Sequence, residues 1–331
     1  MRQARKTANM NVSFAGAVSS ATLCGSTGQV NDRQVKESLE ILRNPLAPGL
    51  YFVATPIGAA RDITLKALDV LASADVIAAE DTRTARHLMQ IHGIALGERS
   101  LIAYHDHSAA SVRDALVEMA AAGKSVACVS EAGTPMVSDP GFPLARAAIA
   151  AGVAVHAAPG PSAMLAALVV AGLPSDRVLF AGFPPAQSGA RSRMLEELSN
   201  VPATLVFYES PKRISRLLAE MAVSLGGDRD AAVCRELTKR FEEVSRGSLA
   251  ELAEAFRGRE VRGEIVLLVG RAPVRAVEQN DLEATLDEAL ARLSVKDAVA
   301  EVAAALDLPR RGVYQAALLR EKRDAGPEEA E

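Results

Sequence analysis

Three polar clusters in this chain carry the side-chain types that do chemistry on a bound molecule. Glu80-Asp81-Thr82-Arg83 lies at the end of an apolar run, where its side chains project toward any ligand held there. The same residues also suit an N-cap at Asp81 or Thr82 with Glu80 in a salt bridge. Tyr104-His105-Asp106-His107 offers two imidazoles, but on an extended segment they alternate faces. With no third ligand in view, hydrogen bonding is the expected role and no metal site is expected. Tyr208-Glu209-Ser210-Pro211-Lys212-Arg213 and Arg235-Glu236-Leu237-Thr238-Lys239 pair acids with bases just past apolar runs. Together with Arg191 and Arg193 they can line a phosphate-binding wall; the alternative is solvated surface charge.

Positioning such groups needs rigid strand ends, and the pattern supplies them. Ser125–Val129 is a short apolar run of the kind that forms a buried strand, and Ser130-Glu-Ala-Gly-Thr-Pro-Met-Val-Ser-Asp-Pro-Gly141 cannot continue it. Gly133 lets backbone approach a ligand, while Pro135 and Pro140 stiffen the loop. A second junction follows, Val153–Ala157 leading through Ala158-Pro-Gly-Pro-Ser162 into a helix over 163–171. Two rigid loops at the carboxyl ends of parallel strands predict a ligand cleft.

The rest of the chain frames these loops. From Leu50 strand and helix alternate: strands at 50–55, 75–80 and 101–103, helices at 63–73, 82–91 and 111–122. This predicts a mostly parallel sheet covered by helices over 49–172. Beyond Gly172-Leu-Pro174 the spacing shortens near Arg235–Phe241, which predicts antiparallel pairing and a mixed sheet over 173–270, with strands at 178–182, 203–208, 231–235, 241–246 and 264–269. Residues 271–331 read as a separate helical unit, with helices at 293–306 and 313–321 about a turn at Asp307–Gly312. The first 48 residues have no periodic apolar face, and are expected to be a disordered extension rather than a secretory signal.

Composition narrows the classes. At 331 residues the chain suits two domains and a tail, and 49% hydrophobic residues with a mean hydropathy of +0.11 suffice for a sizeable core. No apolar run reaches the roughly 18 residues of a membrane span. A net charge of −4 argues against a protein coated in nucleic acid but not against a local basic cleft. Cys24, Cys128 and Cys234, odd in number and far apart, fit a reduced cytoplasm better than a disulfide framework. Familiar motifs are missing: Gly123-Lys124-Ser125 lacks the upstream glycine of a phosphate loop, no Gly-x-Gly-x-x-Gly follows the first strand, and Gly160-Pro-Ser162 is not a nucleophile elbow.

The order of motifs resembles the ribosomal RNA small-subunit methyltransferase I family. Val53-Ala-Thr-Pro-Ile-Gly58, Ala79–Arg83, Tyr104–His107, Ser130–Pro135 and Ser138–Gly141 carry the likeness, as do Pro159–Ser162, Phe207–Ser210, Arg235–Lys239 and Gly263–Val266. It spans about Leu50 to Gly270, with a tail like that family's small helix-turn-helix appendage. The resemblance implies a tetrapyrrole-methylase-like fold, two α/β domains with S-adenosylmethionine in the cleft between them and a helical C-terminal unit. It implies 2′-O-methylation of a cytidine in 16S ribosomal RNA, the decoding-centre cytidine conventionally numbered 1402. The small ribosomal subunit is the expected partner, with no DNA, no membrane, a cytoplasmic location and a homodimer. A tetrapyrrole methylase of the same fold, or a non-catalytic RNA-binding assembly factor, are the rivals.

On this resemblance Gly133, Thr134, Pro135 and Val137, with Glu131 and Ala132 beside them, hold the methionine part of the cofactor. Pro56, Ser162, Ala163 and Tyr208 close round the rest. Glu131 stands where the family more often has Asp. A ribose hydroxyl is a poor nucleophile and gains from a nearby base; Asp81, Glu209 and His105 are the unranked candidates. Arg83, Arg191, Arg193, Lys212, Arg213, Arg235 and Lys239 are expected to engage phosphates.

Overall fold

Short β-branched runs cut off by Gly, Pro or polar clusters become two five-stranded sheets. The structure is a computed structural model that describes residues 40–105, 107–137, 141–272, 279–306, 308 and 310–324. Most of the expected N-terminal extension, Asp106, the Ser138–Pro140 part of the long loop, and Asp307 and Pro309 of the expected turn lie outside the described residues.

The first sheet runs β3 (Ser100–Ala103), β2 (Val76–Ala79), β4 (Ser125–Val129), β1 (Gly49–Val53) and β5 (Val155–Ala158), in that order, and every pairing is parallel. β1, β2 and β4 are buried along their whole length, as expected for strands covered on both faces. Helices α1 (Leu65–Ser73) and α2 (Thr82–Ile91) cover one face through Leu68, Leu71 and Met89. The opposite face is covered by α3 (Ala110–Ala121) and α4 (Phe142–Ala150), through Leu116 and Leu144. The helix after β1 thus goes to one face and the helix after its neighbour β4 to the other. Adjacent strands whose connections part in this way leave a crevice at their carboxyl ends.

The second sheet is mixed, in the order β6 (Val178–Gly182), β7 (Thr204–Glu209), β10 (Ile265–Val269), β8 (Asp230–Arg235) and β9 (Glu243–Ser248). Only β6 with β7 is parallel, and the short β8–β9 connection is antiparallel as its length requires. α6 (Ser188–Leu198), α7 (Ile214–Leu225) and α8 (Leu249–Ala255) cover one face. The other face packs against α5 (Ala163–Ala171), whose Ala167 and Ala171 are fully enclosed with Val206, Ala232 and Leu268. The expected boundary near residue 172 therefore falls after a helix that belongs, by packing, to the second sheet.

Residues 41–47, inside the segment expected to lie outside the core, run against the first domain. Ile41 and Leu46 pack on its α1 side, and the Leu42 amide donates to Asp69 Oδ1 at 2.7 Å. α8 was not expected, although Ser248 and Glu251 form a complete capping box, a signature present in the sequence. The C-terminal unit is α9 (Gln279–Leu290), α10 (Val295–Ala305) and α11 (Arg310–Asp324), packed on one another around Leu286, Val299, Val302 and Val313. α11 begins at Arg310, so Arg310 and Arg311 are helical rather than part of a turn. Among the described residues no helix is long and apolar enough to cross a membrane.

Candidate functional site

The loops after β1 and β4 are stitched to each other at the crevice. Thr55 and Gly133 exchange both backbone hydrogen bonds, Thr55 N to Gly133 O at 2.9 Å and Gly133 N to Thr55 O at 3.1 Å. The Ser130 hydroxyl donates to Gly133 O at 2.8 Å, and the Thr134 hydroxyl to Pro161 O at 2.9 Å. Gly133 sits at φ +86°, in the region that favours glycine. The third loop, Pro159–Ser162, is tied in by the Thr64 hydroxyl, which donates to Pro159 O.

Facing these loops across a cavity of about 380 Å³ is the end of the second sheet. The first domain and the start of α5 line it with Ile57, Ala132, Gly133, Thr134, Val137, Ser162 and Ala163. The second contributes Phe183 after β6, Tyr208–Pro211 at the end of β7 and just past it, Cys234 and Leu237 at the end of β8, and Gly263–Val266 entering β10. The lining is mostly apolar with few polar groups, as in small-molecule sites of this size. Tyr208 is fixed by the Met164 amide, which donates to its hydroxyl at 3.2 Å, and stands edge-on to Phe180 and Phe183.

Glu209 is the one carboxylate buried in this lining, only 3% exposed. Its Oε1 accepts from the Ser210 amide at 2.7 Å. Arg213 Nη2 stands 3.1 Å from Oε2, close enough to balance the charge but out of hydrogen-bond alignment, so Oε2 is a buried acceptor without a hydrogen bond. A buried acceptor in that state favours a hydrogen-bond donor from a ligand. Cys234, on the floor, has its thiol pushed up to about 11 by burial and is not a thiolate nucleophile.

The expected site residues divide clearly. Ala132, Gly133, Thr134, Val137, Ser162, Ala163 and Tyr208 come together in the lining; Pro56, Glu131 and Pro135 sit on the same loops but outside it. Glu131 is exposed, its amide donating to Glu80 Oε2. Among the candidate bases only Glu209 reaches the cavity. Asp81 is the N-cap of α2, accepting from the Arg83 and Thr84 amides. The Arg83 side chain and amide, more than any other groups, hold its carboxyl down at about 2. His105 is exposed, with its ring 6.3 Å from that of His107. Ile57, Phe183, Leu237 and Gly263–Val266 were missed as lining residues.

The expected basic wall needs a correction at Arg191. That side chain is buried, 3% exposed, and its guanidinium engages both oxygens of Glu220 on α7. It also donates to the carbonyls of Pro185 and Ala186. The hydrogen bond from Arg191 is the main reason that the Glu220 carboxyl lies at about 2. Arg191 therefore staples α6 to α7, with four of its five N–H donors engaged inside the protein and the side chain too buried to meet a phosphate. Arg213, Arg235 and Lys239 are half-buried and ion-paired, with Glu209, Glu243 and the Glu236/Glu264 pair. Arg83 is exposed but faces Asp81. Arg193 and Lys212 are exposed. Arg191→Met is accordingly expected to lower stability by about 3 kcal/mol, because it leaves Glu220 and two carbonyls short of a donor. Thermal unfolding checks that loss.

Comparison with known proteins places this geometry. Residues 49–253 match the family model of the Tetrapyrrole (Corrin/Porphyrin) Methylases, and residues 276–321 match that of the RsmI C-terminal HTH domain. The chain is 47% identical over 277 residues to a Ribosomal RNA small subunit methyltransferase I of Mesorhizobium japonicum, covering 83% of this chain and 93% of the relative. A protein of the same name from Mycobacterium tuberculosis is 44% identical over 280 residues, 84% of this chain and 97% of that one. Among solved structures, the methyltransferase CobJ superposes with a TM-score of 0.51 at 23% identity, covering 68% of this chain and 94% of that one, a likeness of fold.

Proposed function

We infer the reaction from one premise: the chain belongs to the ribosomal RNA small subunit methyltransferase I family, with the tetrapyrrole methylase fold. It methylates ribosomal RNA of the small subunit, and S-adenosylmethionine is the methyl donor. The finer reading is transfer to the 2′-hydroxyl of a cytidine in 16S ribosomal RNA. The observation that carries it is the cavity between the domains, in which a glycine loop at φ +86° faces a buried, hydrogen-bond-deficient carboxylate.

The residues fit the donor. Gly133 has no side chain to fill the cradle that its loop makes with Ile57 and Pro161. The apolar side chains of Ile57, Leu237, Ile265 and Val266 suit the uncharged parts of a nucleoside. When bound, S-adenosylmethionine supplies an electrophilic methyl group on a sulfonium. The protein's part is to orient, to exclude water and to take a proton. Thr55, Ser130 and Thr134 hold the Gly133 loop rigid through side-chain and backbone hydrogen bonds, and positioning of this kind supplies much of the rate of a displacement. Glu209 Oε2 is placed to accept the proton from the attacking hydroxyl.

Phosphate contact falls to the exposed bases, Lys212 next to the lining residue Pro211, and Arg193 on α6. A homodimer is part of the same reading, with the exposed Leu165 and Val169 of α5 as surface for a second copy. The protein works in the cytoplasm, where ribosomal subunits mature.

The test is transfer of labelled methyl groups to small ribosomal subunits from cells lacking this enzyme, followed by nuclease digestion. Label in 2′-O-methylcytidine is the expected result; label in another nucleoside, or none, overturns the cytidine assignment. In equilibrium binding titrations with the same subunits, Arg193→Ala with Lys212→Ala is expected to make binding less steeply dependent on salt, with log K against log salt flatter by about 0.7 for each phosphate no longer neutralised. Arg191→Met is expected to leave that slope unchanged.

A further inference from the structure

Behind the cavity the two domains touch through a loop whose backbone is held in an unfavourable conformation. The segment Glu236–Glu242 joins β8 to β9, and two of its residues that are not glycine have left-handed backbone, Glu236 at φ +51° and Thr238 at φ +62°. For a β-branched residue such as Thr238 that is a true outlier, and it persists only where surrounding contacts over-determine it.

Those contacts are present. Thr238 N donates to Glu242 Oε2 at 2.7 Å, and Lys239 Nζ bridges Glu236 Oε1 at 2.9 Å and Glu264 Oε2 at 3.1 Å. Glu236 Oε1 also accepts from the Glu264 amide at 3.0 Å, and Glu236 N donates to Glu264 O at 3.0 Å. The Glu236 side chain lies so closely on Gly263 that a Cβ there would stand 2.5 Å from it. Gly263 and Glu264 line the cavity, so this network is the back of the second-domain wall.

The strained residue points the other way, into the first domain. The Thr238 hydroxyl oxygen accepts from the Ala59 amide at 3.1 Å. A Cβ on Gly58 would meet Thr238 Oγ1 and Lys239 Cγ at 2.6 Å and the Leu237 carbonyl at 2.9 Å, so the two backbones approach as closely as glycine permits. The turn that is gripped, Ile57–Ala59, continues directly from Thr55, which is bonded in both directions to Gly133. One unbroken path thus runs from the Gly133 loop through Thr55, Gly58 and Thr238 to Glu236, Gly263 and Glu264.

We propose that Thr238 is a positioning residue for methyl transfer: its hydroxyl and left-handed backbone clamp the Ile57–Ala59 turn and fix the spacing between the Gly133 loop and the wall that carries Glu209. The proposal rests on the reading above that the donor binds between these walls. Strain is retained at Thr238 because relaxing it would withdraw the hydroxyl from Ala59 and widen the cavity.

Three variants test it by calorimetry with S-adenosylmethionine and by thermal unfolding. Thr238→Gly suits the backbone but removes the hydroxyl; Thr238→Asn tolerates left-handed backbone and keeps an acceptor. Gly58→Ala puts a methyl group into the contact. Thr238→Gly and Gly58→Ala are expected to weaken donor binding roughly tenfold or more while the chain stays folded, since small displacements of a preorganised site carry penalties of that order. Thr238→Asn is expected to restore affinity to within about threefold of the parent, which a merely structural threonine would not require. Parent affinity in folded Thr238→Gly, or equal weakening in the glycine and asparagine variants, overturns the proposal. Nitroxide labels at the exposed positions Glu131 and Lys212 provide a readout independent of the donor. The distance distribution across the cavity should broaden in Thr238→Gly and stay narrow in Thr238→Asn; an unchanged distribution overturns the clamp. Failure of the parent protein to bind the donor would instead overturn the reading of the site, with the label distances still deciding the clamp.

Discussion

Valine at position 133 is expected to reduce S-adenosylmethionine affinity at least a hundredfold in a chain that still folds. The reason begins in the backbone. Gly133 adopts φ +86°, which a β-branched residue strongly resists, and its amide and carbonyl are both bonded to Thr55. The loop has no free direction in which to relax, because Ser130 holds the same carbonyl. A first Cβ would stand 3.4 Å from Ile57 Cγ2, an ordinary contact, so alanine meets mainly conformational strain. Valine adds methyl groups that must enter the cavity or push on Ile57. The strain costs about 1–3 kcal/mol of stability, and displacement of the loop removes the surface against which the donor lies. Titration calorimetry checks the affinity, and circular dichroism the fold. The graded expectation is Gly133→Ala between parent and Gly133→Val; parent-like affinity in folded Gly133→Val would show that the donor does not lie on this loop.

The sequence made this loop legible because its signal is local: an apolar strand, then Gly and Pro in a run that neither strand nor helix can absorb. The same locality made the strand and helix alternation of the first domain readable, and the short β8–β9 spacing announced an antiparallel pair. What was not legible depends on contacts far apart in the chain. Leu237, Ile57 and Ile265 read as ordinary apolar residues, and only the closing of one sheet end over the other makes them lining. Arg191 looked like one more base on a polar helix; its partner Glu220 lies 29 residues away on α7, and no local pattern predicts that pairing. Asp81 is a different case. Its N-cap role was visible in the sequence beside the catalytic one, and the Arg83 and Thr84 amides show the cap in place.

Those placements separate the candidate bases, and the separation has kinetic consequences. Glu209→Gln is expected to lower kcat by about 10²–10⁴-fold, the usual contribution of a positioned general base, with donor affinity within about threefold of the parent. Glutamine keeps the shape and lets its carbonyl oxygen continue to accept from the Ser210 amide. Its amide nitrogen then replaces Oε2, the only buried side-chain acceptor of the cavity without a hydrogen bond among the described residues, and it cannot take a proton. That nitrogen also faces Arg213 Nη2, donor against donor, so a stability loss of about 1–2 kcal/mol should accompany the substitution. Asp81→Asn supplies the contrast. Asparagine caps a helix as well as aspartate does, and the Asp81 carboxylate is already engaged by Arg83, so kcat is expected to stay within about threefold of the parent. Single-turnover methyl transfer to small ribosomal subunits, run beside donor titrations, distinguishes the roles of Glu209. A fall in kcat at unchanged donor affinity marks proton removal from the ribose hydroxyl. A fall in donor affinity with kcat preserved would mean that Oε2 holds the donor instead, and a collapse of kcat in Asp81→Asn alone would move the base to the tip of α2.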